Sequence, residues 1–128
     1  MKIEDNSLGF CKLTFYDHFV ISVIKEGTVM CNNLNSKQTE LILKYYRNQP
    51  FVYISHRLHS YSVDPLMYNS SSKIDNLIGF CVVTENYFSR KSTEIEQVFL
   101  KKNFKVCSSI FEAKNWAALT YKTYIENK

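Results

Sequence analysis

Apolar and polar positions along this chain divide it into strands and helices in regular succession. Residues Gly9 to Tyr16 and Phe19 to Lys25 are rich in β-branched and aromatic types and are separated by Asp17-His18, the pattern of a tight hairpin turn. In the second run Phe19, Ile21 and Val23 point one way and Val20, Ser22 and Ile24 the other, so the strand has apolar contacts on both sides. Beyond a connector through Gly27 and Asn32-Asn33, Asn35 is placed to cap a helix, with Gln38 in capping-box position. That helix runs to about Arg47 on a face of Leu34, Leu41, Ile42, Tyr45, Tyr46 and the Gln38 alkyl chain, and Asn48-Gln49-Pro50 stops it.

The runs Phe51 to Ser55 and Leu77 to Thr84 are nearly continuously apolar, as expected of strands covered on both faces in the parallel part of an α/β sheet. Between them His56 to Asn76 is polar and tyrosine-bearing. It reads as a loop followed by a short helix over about Leu66 to Ile74, with Asp64-Pro65 capping and beginning it. A third helix spans about Ser89 to Lys102, with Ile95, Val98 and Phe99 spaced for one buried face, and Phe104 to Cys107 is its partner strand. Ser109 opens the last helix, with Glu112 as the capping-box carboxylate. Ile110, Ala113, Trp116, Ala117 and Tyr124 form its stripe, which should pack on the sheet. The order β-β-α-β-α-β-α-β-α implies right-handed crossovers and a mixed α/β sheet of about five strands with about four helices, parallel except near the opening hairpin.

Composition narrows the class. With 128 residues, 45% hydrophobic, three Gly and two Pro, residues 1–128 should form one folded domain. The net charge of +4 comes from scattered basic residues, with local concentrations only at Arg90-Lys91 and Lys101-Lys102, so no nucleic-acid partner is expected. Cys11, Cys31, Cys81 and Cys107 form no Cys-x-x-Cys unit, and all but Cys31 lie in apolar strand-like runs, which reads as a reduced, cytoplasmic protein. The segment Met1 to Asn6 lacks an apolar signal core, and no apolar run approaches the ~20 residues that span a bilayer, so membrane insertion is not expected.

The element order resembles the small SpoIIAA-like proteins of the STAS class, and Phe104 to Trp116 is similar to their final strand and Ser-x-x-Glu-Ala-x-x-Trp helix start. The resemblance implies a SpoIIAA-like sheet and a non-enzymatic domain that binds a protein or a small ligand. In the anti-sigma-factor antagonists of that class a serine in Asp-Ser-Ser-Gly is phosphorylated by the partner kinase. Here the corresponding stretch, Ser60-Tyr61-Ser62-Val63-Asp64-Pro65, lacks that motif.

In open α/β sheets ligands favour the crevice beyond the carboxyl ends of the parallel strands, which here means the loops His56 to Asp64, Glu85 to Arg90 and Cys107 to Ser109. His56, Arg57, His59 and Tyr61 are candidates for lining a pocket for an anionic group, with Asp64 at the end of the same loop. Three-residue spacing puts His56 and His59 on opposite faces of an extended segment, so no metal site is expected. Ser60, Ser62, Ser70, Ser71 and Ser72 are the candidate phosphoacceptors near helix starts. No Gly-x-Ser-x-Gly elbow, P-loop or Gly-x-Gly-x-x-Gly is present, so neither a catalytic set nor a cofactor is expected.

The function expected is therefore a cytoplasmic binding or regulatory module. The alternative is a carrier of a small apolar or lipid-like ligand, which an apolar cavity between the sheet and the last helix would favour. An unpaired edge at the opening hairpin raises the further expectation of a homodimer.

Overall fold

The computed structural model describes residues 2–128, and of residues 87–89 the backbone alone. Its centre is a six-stranded mixed sheet. The strands are β1 (Ile3–Asp5), β2 (Cys11–Phe15), β3 (Phe19–Ile24), β5 (Phe51–His56), β7 (Leu77–Val83) and β8 (Phe104–Cys107), side by side in that order. Two further short strands, β4 (Val29–Met30) and β6 (Ser62–Val63), pair in parallel as a separate ribbon. The helices are α1 (Asn32–Tyr46), α2 (Tyr68–Ser71), α3 (Tyr87–Phe99) and α4 (Ile110–Glu126), with a 3-10 turn at Pro65–Met67 before α2.

The α/β class and the alternating order hold, and the sheet is larger than the five strands expected. β1 went unread because Ile3–Asp5 offers one apolar residue in three, yet backbone pairing with Phe15, Thr14 and Leu13 suffices to fix it. It also changes the edges: β2 is covered on both sides, so the premise of an exposed hairpin edge fails. The actual edges, β1 and β8, are three and four residues long, and short edges blunt strand pairing.

β3, β5, β7 and β8 are parallel neighbours and succeed one another in one direction across the sheet. Right-handed crossovers along such a series put every connecting helix on one face, and α1, α2 and α3 do pack there. α4, which follows the last strand, covers the other face. Side chains alternate accordingly. Val20, Ile24, Phe51 and Tyr53 face α1, while Ile21, Val52 and Ile54 face α4.

Against α4 the packing is close. Ala113 and Ala117 are fully buried, and a Cβ on Gly79 would stand 3.0 Å from the Trp116 ring. Gly79 is thus the residue that lets the half-buried Trp116 lie on β7. A bulge opposite Phe51–Val52 places Ile78 and Gly79 in succession toward this helix.

Three local readings are corrected by packing. Asn35 and Gln38 do not cap α1, whose N-cap is Cys31; both lie inside the helix and are buried. The short helix expected over Leu66 to Ile74 is split into the 3-10 turn and α2, although Asp64 caps it as expected, accepting from Leu66 N at 3.1 Å. On α3, Ile95 and Val98 are 58% and 65% exposed, and the helix buries Thr93 and Glu96 instead. The element starts and stops themselves are read well. Ser109 Oγ accepts from Glu112 N at 3.1 Å, and Tyr16 N donates to Phe19 O at 2.9 Å across the Asp17-His18 turn.

Candidate functional site

Strand alternation sends Ser22, Tyr53 and Ser55 into the layer beneath α1, and a three-residue spacing on α1 sends Asn35 and Gln38 to meet them. Gln38 Oε1 accepts from Ser22 Oγ at 2.7 Å and from Tyr53 OH at 3.1 Å. Its Nε2 hydrogens then have no partner among the described residues, while the side chain lines a cavity of about 40 Å³. Asn35 Nδ2 donates to Ser71 Oγ at 3.1 Å on the same wall. The remaining walls are apolar and aromatic, including Ile42, Phe51, Met67 and Phe80, with the Tyr53 and Phe80 rings stacked at 4.8 Å. A chamber of this size holds roughly three water molecules.

The chamber is closed at the carboxyl end of β5 by an ion pair. Arg57 N donates to Val83 O at 3.0 Å, which fixes the chain as it leaves the sheet. The guanidinium grips Glu96 of α3 through both arms, at 2.8 and 2.5 Å, with the two side chains 7% and 4% exposed. Tyr68 OH donates to Glu96 Oε1 at 2.5 Å, Ser55 Oγ lies 3.0 Å from Tyr61 OH, and the Tyr61 ring sits 5.5 Å from the guanidinium carbon. Outside the pair is a cleft of about 300 Å³, lined by His59, Pro65 and Ile95 among others. Arg57, Tyr61 and Val63 line both spaces and form the wall between them. The ribbon holds the outer part of this wall in place, with Gly27 N donating to Ser60 O and Asp64 N to Met30 O, both at 2.8 Å.

The electrostatics exclude two chemical roles for these groups. Burial pushes the Tyr53 hydroxyl well above its ordinary value, and burial followed by the Glu96 carboxylate does the same for Tyr68, so both stay protonated and serve as neutral hydrogen-bonding groups. The Arg57 charge is balanced by its partner, so the guanidinium offers no free positive end to an anion in this conformation.

The sequence-derived candidates do not all converge. Arg57, His59 and Tyr61 share the outer cleft, whereas His56 shares a separate recess with Glu85 and Ser108, where burial lowers its pKa. Asp64 is engaged as a cap. Among the serines, Ser60, Ser62 and Ser70 are exposed and Ser71 is buried against Asn35. Ser72 Oγ donates to Tyr68 O at 2.7 Å and accepts from Lys101 N at 2.8 Å. The residues that sequence reasoning missed are Asn35, Gln38, Ser55, Tyr68 and Glu96. The one legible trace was the pair Asn35 and Gln38, polar residues three apart on the apolar stripe of α1. Glu96 leaves none, being one of several acids on a helix read from its apolar positions.

Neither a family model, a curated protein nor a solved structure matches the chain. Among the described residues no helix is long and apolar enough to cross a membrane, and no group of three His, Cys, Asp or Glu is placed to hold a metal ion.

Proposed function

We propose that this protein is a non-enzymatic binding module whose site is the chamber beneath α1 together with the cleft outside Arg57 and Tyr61, and whose ligand is a small molecule. The observation that carries this reading is the concentration of buried polar side chains around one space on the sheet face beneath α1, which reaches Arg57 at the carboxyl end of β5, the side on which open α/β sheets take ligands. Apolar residues would fill the same volume at lower desolvation cost. Chamber and cleft are separated by a single layer of side chains, and joined they reach the size of small-molecule sites. Neutral hydroxyls and a self-balanced ion pair recognise shape and hydrogen bonds; they supply neither base nor nucleophile, which supports a non-enzymatic role.

A lipid carrier is the less well supported reading. The chamber is small and carries Asn35, Gln38, Ser55 and Arg57 in its lining, and the α4 face is closed by Trp116 lying on Gly79. The SpoIIAA-like relationship belongs to the same proposal, supported by the hairpin followed by alternating helices and parallel strands. So does a reduced, cytoplasmic setting, supported by the free thiols at Cys11, Cys31, Cys81 and Cys107. The ligand reading is tested by titrating isotope-labelled protein with benzamide, a flat probe with one donor and one acceptor group. Saturable shifts of the Asn35 and Gln38 side-chain amides are expected. Shifts confined to the surface, for benzamide and for a panel of small neutral and acidic probes, would overturn it.

A further inference from the structure

Glu96 occupies its place at an unusual structural cost. The helix that carries it leaves Ile95 and Val98 in solvent while burying Thr93 and Glu96. Ile95 is one residue away from Glu96, about 100° around the helix. The carboxylate and the Ile95 side chain therefore cannot both face the core, and the ion pair, together with the buried Thr93 and with Phe99 packed on the core, sets which of them does.

What Glu96 fills is a ready-made carboxylate site. Arg57 presents two arms of its fork and Tyr68 adds a third donor, all to one carboxylate. The guanidinium plane and a carboxylate match each other bidentately whatever molecule the carboxylate belongs to. On the chamber side stand the stacked Tyr53 and Phe80 rings, with Tyr68 edge-on to Phe80 at 5.6 Å between centroids. Among the described residues Arg57 is the one Lys or Arg lining either space, so one negative charge is balanced there and a second would be left unpaired.

We propose, resting on the pocket reading above, that Glu96 is an internal stand-in for a ligand carboxylate, and that the ligand class is a small monocarboxylate with a flat aromatic or short apolar body. On binding, the ligand carboxylate takes the fork of Arg57 and its body lies against the chamber rings. Glu96 is released into the outer cleft, beside Ile95. The exchange keeps one carboxylate on Arg57 at every stage, so no buried charge is left alone. The released Glu96, beside the exposed Ile95, changes the surface of α3, and that change is the signal that a regulatory module would pass on.

The test uses sodium benzoate as probe and benzamide as its uncharged counterpart, followed by NMR on the whole chain. For the wild type, benzoate should give saturable shifts at the Arg57 side chain and the Ile95 and Val98 methyls, with the millimolar affinity expected of so small a probe. Glu96→Gln, which removes the competitor and keeps the fork, should bind benzoate at least about tenfold more tightly, as the gain from one charge-assisted hydrogen bond predicts. The double variant Arg57→Met with Glu96→Leu leaves no charge unpaired and should bind none, while benzamide is indifferent to both changes. Benzoate binding to Glu96→Gln with no saturable shift in the wild type would show a permanent structural pair and overturn the inference. Benzamide binding without benzoate binding to the wild type would overturn it too, leaving the pocket reading standing. Failure of both probes on the wild type would overturn the inference, and failure of the wider panel as well would remove the pocket reading.

Discussion

The two faces of the central sheet are built on different principles. The face under α4 is dry and filled by shape: Ile21, Val52, Ile54, Cys81 and Val83 meet Ala113, Ala117 and the Trp116 ring. Even its paired thiols, Cys81 and Cys107, with sulfurs 3.2 Å apart, are held protonated by burial. The face under α1, α2 and α3 has an equally buried apolar rim but a polar centre, with Ser22, Asn35, Gln38, Ser55, Ser71 and Glu96 all buried. Strand alternation supplies the two faces from alternate residues of the same strands, so much of the difference lies in what each helix layer brings. One face specifies the fold by volume. The other specifies a space by hydrogen bonds, and that space reaches Arg57 at the carboxyl end of β5.

The largest effect expected from this contrast is at the ion pair. Arg57→Met should lower stability by about 3–5 kcal/mol, because Glu96 is then buried without a counter-charge, whereas adding Glu96→Leu should return the unfolding midpoint to the wild-type value or above it. Denaturant melts of the single and double variants decide this, and a double variant no better than the single would mean that the polar centre of this face is part of its packing after all. Next, Gln38→Leu should cost about 2 kcal/mol, since the Ser22 and Tyr53 hydroxyls lose their shared acceptor in the interior. A nearly neutral result would place water in the chamber as the replacement partner.

On the α4 face the expected failure is steric. Gly79→Ala should cost about 1 kcal/mol, the clash with Trp116 exceeding the gain from a stiffer unfolded chain. Combining it with Trp116→Leu should relieve that cost, and a melt showing simple additivity of the two changes would argue against the contact. The smallest effect belongs to His56, whose pKa is lowered in the folded protein by burial. The unfolded chain then binds the proton more readily, so this contribution to stability is present above the ordinary value of 6.5 and is lost as pH falls below it. His56→Gln should flatten the fall in urea midpoint between pH 7.5 and 5.5, roughly one unit either side of the ordinary histidine value. An unchanged slope would assign the dependence to another group.

Much of the architecture was readable because it rests on local signals. The two-residue turn at Asp17-His18, the stop at Pro50, the Asp64-Pro65 cap and the Ser109 cap each use backbone chemistry that a few neighbouring residues determine. The candidate site was only partly readable. Arg57 and Tyr61 were visible because their loop follows a strand end. The partner Glu96 lies 39 positions from Arg57 and 28 from Tyr68 along the chain, and no local pattern marks them as neighbours.

The sequence by itself determined the alternation of strands and helices and the parallel core, since periodicity, turn residues and crossover handedness are properties of short segments. Only the tertiary structure decided which side of α1 and α3 turns inward. On α1 it turned Asn35 and Gln38 from a supposed cap into the wall of a chamber. On α3 it set a buried ion pair against the exposed Ile95 and Val98, and the ion pair won. A charge that must be paired inside a protein outweighs the burial of two side chains, and whether it must be paired there depends on contacts between distant residues that no single helix contains.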